Sequence, residues 1–461
     1  MSPKSRGRSA AGVAGGRRTS DHTSTSEMPI EALLSELDPS SAELARAALG
    51  WMLPEDEPLS ELCQVVLQEF LWYQLPMKWM VETSELHEIA WSLADLFTAA
   101  GLERYAAACR APETHRILEA WQEADREPAR KAMKAAFASS GVVPPDTPLL
   151  GWGSVLGVAE HSASRQVSHA LEQAIDAGEL VPGARAWKQQ AARIAEASLT
   201  LPRLDLRGDT MLQAVGRERA ERWAAGYPEA RRDLLTLMLP LLEGEVAVPA
   251  EAGDCLTPLR WLLEHIGDGA TLTQAGWLPK ALVLEANDTF GWFDLPGFKV
   301  RTETDLPELA TLNETARRAR LITKKGRKVS LSATGRTALG DPSLLWRIVI
   351  SDVFAVGTYG GEGAALAAAM LVNAKATLSG KTVEAKVGAG LEGRWLTASG
   401  GALGQWSGLQ ATRDYRRLAG VFGWLEEGND WQNRTWTLTP PGRQAALLGL
   451  QLQAQSPRNR P

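Results

Sequence analysis

A basic segment near the middle of the chain has the clearest chemical potential. From Arg317 to Arg336 there are eight basic residues and no acid. Guanidinium and ammonium groups neutralise phosphates without reading base sequence. The candidate nucleic-acid contacts are therefore Arg317, Arg318, Arg320, Lys324, Lys325, Arg327 and Lys328. The competing interpretation is a solvated or protein-contacting face.

Other residue combinations that could support chemistry are incomplete. The segment 379–382, Ser-Gly-Lys-Thr, looks like the end of a phosphate loop, but Lys375 stands where such a loop requires its first glycine. The six histidines form no recognised zinc-ligand spacing, and no Gly-x-Ser-x-Gly elbow occurs. We therefore expect no cofactor, no metal and no locally encoded catalytic site. An active site assembled from distant residues would leave no such trace.

Length and composition predict a soluble, cytoplasmic protein of about three domains. The chain has 461 residues, of which 44% are hydrophobic, enough to bury real cores. Cys63, Cys109 and Cys255 are odd in number and far apart, so neither a disulfide framework nor a four-thiolate metal site is expected. No apolar run is long enough to span a bilayer, and the N-terminal arginines precede no secretory-type apolar segment. A membrane partner is not expected.

One helix, one hairpin and the start of a second helix must position the basic segment. Apolar residues at helical spacing predict a helix that starts behind Thr304 or Asp305, with Pro307 in its first turn. Two short β-type runs, 320–323 and 328–331, then predict a hairpin that turns at Gly326. Ser332 is placed to cap the following helix.

A short signature recurs in the C-terminal half. It consists of Leu, then Ser or Thr, two further residues and Gly, and it begins at Leu272, Leu331, Leu396 and Leu438. We expect each copy to be a strand end that points its Leu into the core, followed by a hydroxyl that caps the next helix.

Two of these copies extend further and indicate repeated modules. Leu331–Leu339 reads L-S-A-T-G-R-T-A-L and Leu438–Leu447 reads L-T-P-P-G-R-Q-A-A-L, and each follows a predicted helix and hairpin. Helix, hairpin and capped helix in that order resemble the recognition helix and wing of a winged-helix domain. The expected fold is mainly α, with a helical N-terminal half followed by two winged-helix-like α+β modules that contain short β-hairpins.

Composition shifts suggest the domain limits. Residues 143–148 contain three prolines and form the clearest linker, and the Gly-rich segment 357–363 is expected to be a flexible joint. The expected divisions are a disordered basic tail (1–27), an acidic helical domain (28–143), a second helical region (149–243), a first winged-helix-like module (254–347) and a second one with a Gly-rich lead-in (348–455).

These features favour a non-enzymatic binding protein, and two partner classes stay open. The first is nucleic acid, bound by a DNA-associated regulator through the basic wing of the first module. The second is protein, bound by an adaptor or scaffold through its winged-helix-like modules. Asp305, Glu308 and Glu314 in the expected recognition helix would repel phosphates, which favours the second. The hairpin of the second module carries Glu426, Glu427 and Asp430, so nucleic acid is not expected there. Nothing in the sequence defines an oligomeric state.

Overall fold

The protein is mainly helical and carries two small antiparallel sheets. The computed structural model describes residues 29–54, 57–293, 299–374, 376–428 and 434–458. The expected N-terminal tail (1–27) and Asp430 lie outside the described residues. Within them, helices dominate and two three-stranded antiparallel sheets occur, which confirms the expected mainly α class. None of the helices in these residues has both the length and the apolar character that crossing a membrane requires.

The chain forms two compact units, each built from two stretches of sequence. The first comprises the residues up to Pro145 together with Ser164–Ser198, and the second comprises Asp146–Ala163 together with the residues from Leu199 onward. The first limit falls inside the Pro-rich segment 143–148, while the other two fall inside helices. The expected helical region 149–243 is thereby divided between the two units.

The first unit is an all-helical body. Its core buries large apolar side chains such as Phe70, Trp72 and Phe97. Asp38 starts the second helix by accepting hydrogen bonds from the backbone N–H groups of Ser40 and Ser41. Its helices are α1 (Ile30–Leu34), α2 (Pro39–Met52), α3 (Gln64–Glu69), α4 (Leu75–Lys78), α5 (Thr83–Ala99), α6 (Glu103–Arg110), α7 (Pro112–Gln122), α8 (Glu127–Ser140) and the greater parts of α9 (Val158–Asp176) and α10 (Trp187–Thr200).

The second unit contains two stretches with the same order of elements. Helices α11 (Met211–Ala224), α12 (Glu229–Thr236) and α13 (Ala252–Cys255) come before them. The first module consists of α14 (Thr257–Ile266), β1 (Ala270–Thr271), α15 (Lys280–Phe290), α16 (Pro307–Arg318), β2 (Ile322–Lys325), β3 (Lys328–Leu331) and α17 (Ala333–Leu339). Helix α18 (Pro342–Val353) follows. The second module consists of α19 (Tyr359–Asn373), β4 (Leu378–Ser379), α20 (Gly380–Leu391), α21 (Ser407–Val421), β5 (Leu425–Glu427), β6 (Thr435–Leu438) and α22 (Pro440–Ala454).

The sheets of the two modules also share their strand order. In the first module β3 lies between β1 and β2, and in the second β6 lies between β4 and β5. One continuous hydrophobic core runs through both modules. Helix α18 contributes Trp346, which is fully buried and packs edge-on against Trp424 of the second module with ring centroids 5.1 Å apart.

The corner between the first hairpin and α17 explains one copy of the repeated signature. The Ser332 hydroxyl accepts a hydrogen bond from the Gly335 N–H (2.8 Å) and donates one to the Arg320 carbonyl (2.6 Å). The Ser332 N–H donates to the Leu321 carbonyl at 2.9 Å. A Cβ atom at position 335 would overlap that carbonyl, so the glycine is a packing requirement. The expected cap at Ser332 is confirmed.

The second module builds the same corner. Thr439 accepts from the Gly442 N–H (3.1 Å) and donates to the Gly423 carbonyl (2.7 Å), while its own N–H donates to the Trp424 carbonyl (3.1 Å). A Cβ atom on Gly442 would overlap the Trp424 carbonyl. The two extended copies of the signature are therefore structurally equivalent.

The other two copies are turns, and the expectation of a helix cap is wrong for them. Leu272 is buried as expected, but Leu396 is exposed. Thr273 accepts from the Trp277 N–H through its hydroxyl (3.0 Å), and Thr397 accepts from the Gly401 N–H in the same way (3.0 Å). The described residues directly after either threonine begin no helix, because the glycine of each signature, at position 276 or 400, has a positive φ that closes a turn.

The Gly-rich segment 357–363 consists of the turn before α19 and the first turns of that packed helix, which corrects the expected flexible joint. Gly361 and Gly363 lie in the first turns of α19 and are buried. A Cβ on Gly363 would overlap Ala411 of α21, so the glycines permit two helices to approach closely.

Candidate nucleic-acid interface

The basic residues predicted from the sequence lie on and beside the β2–β3 hairpin, which we call the basic hairpin. Its two-residue turn consists of Gly326, with φ of 62°, and Arg327. Lys325 and Lys328 are direct partners across the two strands, and Thr271 of β1 pairs with Lys328 on the other side. The hairpin and its turn at Gly326 are thus confirmed, but its first strand is Ile322–Lys325 and not the predicted 320–323. Two lysines lie opposite each other at its tip.

All seven candidate residues are exposed, and five of them differ from the other two in their contacts. These five are Arg317, Arg320, Lys324, Lys325 and Lys328. In the described part of the chain, none of these five side chains forms an ion pair or a side-chain hydrogen bond. Their charges face solvent and are available to an anion.

The other two candidates have intramolecular roles. Arg318 forms an ion pair with the largely buried carboxylate of Asp352 at 2.8 Å. The carboxylates of Glu314 and Asp414 lie 3.3 and 3.9 Å from the same guanidinium. The hydrogen bond to Asp352 raises the pKa of Arg318. Arg327 donates from Nε and Nη2 to the Leu272 carbonyl at 3.0 and 2.8 Å. These bonds hold the hairpin in place. Because the carbonyl has no net charge, the charge of Arg327 is not neutralised.

Helix α16 precedes the hairpin and is mostly buried. Leu309, Leu312 and Ala316 face the core as their spacing predicts, but the polar residues Thr311 and Asn313 are buried as well. The helix packs against α14 of its own module, against α18 and against α21 of the second module. Little of its surface is left to enter a nucleic-acid groove.

The start of α16 differs from the expected cap. Pro307 is in the first turn as predicted, but the residue before it, Leu306, provides no side-chain cap. Asp305 instead accepts hydrogen bonds from the backbone N–H groups of Arg301 and Thr302, both at 2.9 Å, around a short 3-10 turn. These bonds lower the pKa of Asp305. Asp305 therefore belongs to the capping box of Thr302 at the 3-10 turn, and the expected side-chain cap of α16 is wrong.

The corresponding hairpin of the second module, β5–β6, is acidic and internally paired; we call it the acidic hairpin. Glu427 forms an ion pair with Arg416 of α21 at 3.3 Å, and Glu426 beside it is exposed. The described residues of this hairpin include one exposed cation, Arg434, so they form no cluster of cations like that of the basic hairpin.

Sequence reasoning missed two local arrangements. Trp277 follows the turn after β1 and is 41% exposed; the repeated signature that ends at Gly276 points directly to it. In the first unit, the Nδ1 atoms of His87 and His115 are 2.6 Å apart, and the Glu119 carboxylate is 3.8 Å from His87. The 28-residue separation of these histidines leaves no local motif.

The histidine pair does not extend to a metal site. Across the described residues, no group of three or more His, Cys, Asp or Glu side chains is arranged to hold a metal ion.

Comparison of the chain with protein-family models, curated proteins and solved structures gives no match.

Proposed function

We propose that this chain is a non-enzymatic, DNA-associated regulatory protein that binds nucleic acid through the basic hairpin, which serves as the wing of a winged-helix-like first module. The observation that carries the proposal is the set of five exposed cations, unpaired among the described residues, on one hairpin and the adjoining helix end. The protein as a whole has a net charge of −6, so this concentration of positive charge is local.

The charge arrangement of the hairpin favours a polyanionic ligand. Like charges directly opposite each other in a sheet destabilise it by roughly 0.2–1 kcal/mol, and Lys325 faces Lys328 in this way. A phosphate placed between the two ammonium groups would relieve their repulsion. The bonds from Arg327 to the Leu272 carbonyl hold the hairpin against β1, so the cations are presented on a supported surface.

The burial of α16 supports phosphate contact over base reading. A recognition helix reads sequence by inserting exposed side chains into the major groove. Here two polar side chains of α16 are turned inward: the Asn313 amide donates to the buried Glu303 carboxylate at 2.7 Å, and the Thr311 hydroxyl donates to the Pro307 carbonyl at 2.7 Å. The proposal therefore predicts affinity that depends strongly on salt and weakly on sequence.

The test compares two triple variants of the full chain that remove equal charge. Lys324→Gln, Lys325→Gln and Lys328→Gln neutralise the basic hairpin, while Arg347→Gln, Lys381→Gln and Lys386→Gln neutralise exposed cations elsewhere in the same unit. Fluorescence anisotropy with unrelated labelled duplexes is measured across a salt series. We expect only the hairpin variant to lower the salt slope, by about 0.9 for each phosphate that the protein no longer neutralises. The absence of binding by the unmodified chain at about 50 mM salt, where electrostatic binding to phosphates is strong, would contradict the proposal.

A protein-binding adaptor is the second candidate, and the surface of the second module favours it. Leu396 and Trp406 are 62% and 63% exposed there, and apolar side chains of that size at a surface are typical of protein contacts. The salt series separates the two candidate functions, because a protein-binding adaptor would not bind the labelled duplexes through the basic hairpin.

A further inference from the structure

We infer that Trp277 is a base-stacking platform beside the basic hairpin, so that the preferred ligand is a nucleic acid with unpaired bases. This inference rests on the proposed function and specifies its ligand class. It arises from one exposed indole, the rigid turn that carries it and the cations on the adjoining elements.

The turn holds the backbone of Trp277 in one place. The Thr273 N–H donates to the Trp277 carbonyl at 2.8 Å, and the Trp277 N–H donates to the Thr273 hydroxyl at 3.0 Å. The Gly276 N–H closes the turn on the Thr273 carbonyl at 3.0 Å, with φ of 85° at the glycine. Leu278, the next residue, donates its N–H to the buried Glu303 carboxylate at 2.7 Å.

The same turn is joined to the basic hairpin. The Leu272 N–H donates to the Arg327 carbonyl at 2.8 Å, and the Arg327 guanidinium donates back to the Leu272 carbonyl. The Lys324 ammonium lies 3.6 Å from the position that a Cβ on Gly276 would occupy. A wing cation therefore sits against the residue that precedes Trp277.

Further cations follow Trp277 along the chain. Lys280 begins α15 and lines a cavity of about 430 Å³ together with Lys299 and Arg301. The described residues that line this cavity include these three cations and no carboxylate. Phosphates on the two sides of a stacked base would thus meet positive charge from the hairpin and from the start of α15.

The exposure of Trp277 distinguishes it from the core tryptophans of the same unit. Trp346, Trp424 and Trp436 are almost completely buried, whereas Trp277 is 41% exposed. An aromatic ring beside cations is the arrangement that binds single strands, because every base offers a π-face and the backbone offers phosphates. In a duplex the bases are already stacked, so this ring would gain contact only at unpaired positions.

The experiment is a double-mutant cycle on the full chain. The variants are Trp277→Ala and Trp277→Phe, and the probes are a labelled single strand and a strand of the same length with abasic sites, which keeps the phosphates and removes the bases. We expect Trp277→Ala to weaken binding of the normal strand by roughly 5- to 150-fold, corresponding to the stacking of one base. Trp277→Phe should retain most of the affinity. The unmodified protein should bind the abasic strand about as weakly as the Ala variant binds the normal one.

Trp406→Ala is the control, since this tryptophan is exposed in the second module and should not affect either probe. Equal affinity of the unmodified protein for normal and abasic strands would overturn the inference, and this result needs no variant to fold. If Trp277→Ala changes the affinity for neither duplex nor single strand, the stacking role of Trp277 is overturned and the proposed function stays intact. Failure to bind any nucleic acid would instead remove the proposed function itself.

Discussion

The two modules of the second unit share their order of elements and their corner geometry, yet they use charge in opposite ways. In the first, the three hairpin lysines, Lys324, Lys325 and Lys328, are exposed and form no ion pair with a described residue. In the second, Glu427 is paired with Arg416, and Glu362 accepts hydrogen bonds from Arg231 and Arg394 at 2.8 and 2.7 Å. The shared fold thus positions the hairpins alike, and they differ in charge: one is paired within the unit, and the other presents lysines to solvent.

The largest expected effect comes from breaking the ion pair between Arg231 of α12 and Glu362 of the second module. Arg231 is buried, and burial lowers its pKa; Glu362 supplies the negative charge that compensates its buried guanidinium. Loss of one partner of a buried pair costs about 3–5 kcal/mol. We expect Glu362→Gln to lower the free energy of unfolding by that amount in urea denaturation. The triple Lys→Gln variant of the basic hairpin should change the free energy of unfolding by less than about 0.5 kcal/mol, because substitutions at exposed positions usually have small effects. A loss of stability as large as that of Glu362→Gln would show that the hairpin lysines are structural.

Alanine at the two corner glycines should destabilise both modules to a similar degree. A Cβ at Gly335 or Gly442 would overlap a backbone carbonyl, and such overpacking typically costs about 1–3 kcal/mol. Gly340→Ala is the matched control, because its Cβ would be 3.7 Å from the nearest atom. Unequal losses in urea denaturation would break the structural equivalence of the two corners.

A smaller effect is expected at the residue that starts each hairpin. Arg320 has φ of 55° where the second module has Gly423 at 63°, and a left-handed conformation is unfavourable for a residue with a side chain. Arg320→Gly should therefore raise the free energy of unfolding by roughly 0.5–1 kcal/mol and weaken nucleic-acid binding. If stability falls, the arginine side chain contributes packing that offsets its backbone strain.

The stability of the first unit and the nucleic-acid affinity should depend differently on pH. Burial and the neighbouring His87 lower the pKa of His115 below 6.5 in the folded state, so the unfolded state binds more protons just below that pH. The stability of the first unit should fall as pH decreases through this window, and His87→Gln should reduce that slope. Lysine and arginine do not titrate there, so nucleic-acid affinity should stay flat; a matching pH dependence of affinity would contradict the separation.

Local pattern predicted the hairpin and the cap at Ser332 because turn and capping chemistry depend on adjacent residues. It could not predict β1, whose two residues are too few to show a period and pair with a strand nearly sixty residues away. The ion pair of Arg318 with Asp352 and the burial of Asn313 likewise depend on neighbours brought by tertiary packing. The sequence therefore located the charge, but not which cations are already neutralised.

The most direct measurement of the central claim is lysine protection on the unmodified chain. Amine labelling followed by mass spectrometry compares the reactivity of each lysine with and without a saturating oligonucleotide. Lys324, Lys325 and Lys328 should lose reactivity, while Lys381 and Lys386 of the second module, which are also exposed, should react as before. Unchanged labelling at the basic hairpin in a formed complex, or equal protection in both modules, would contradict the account.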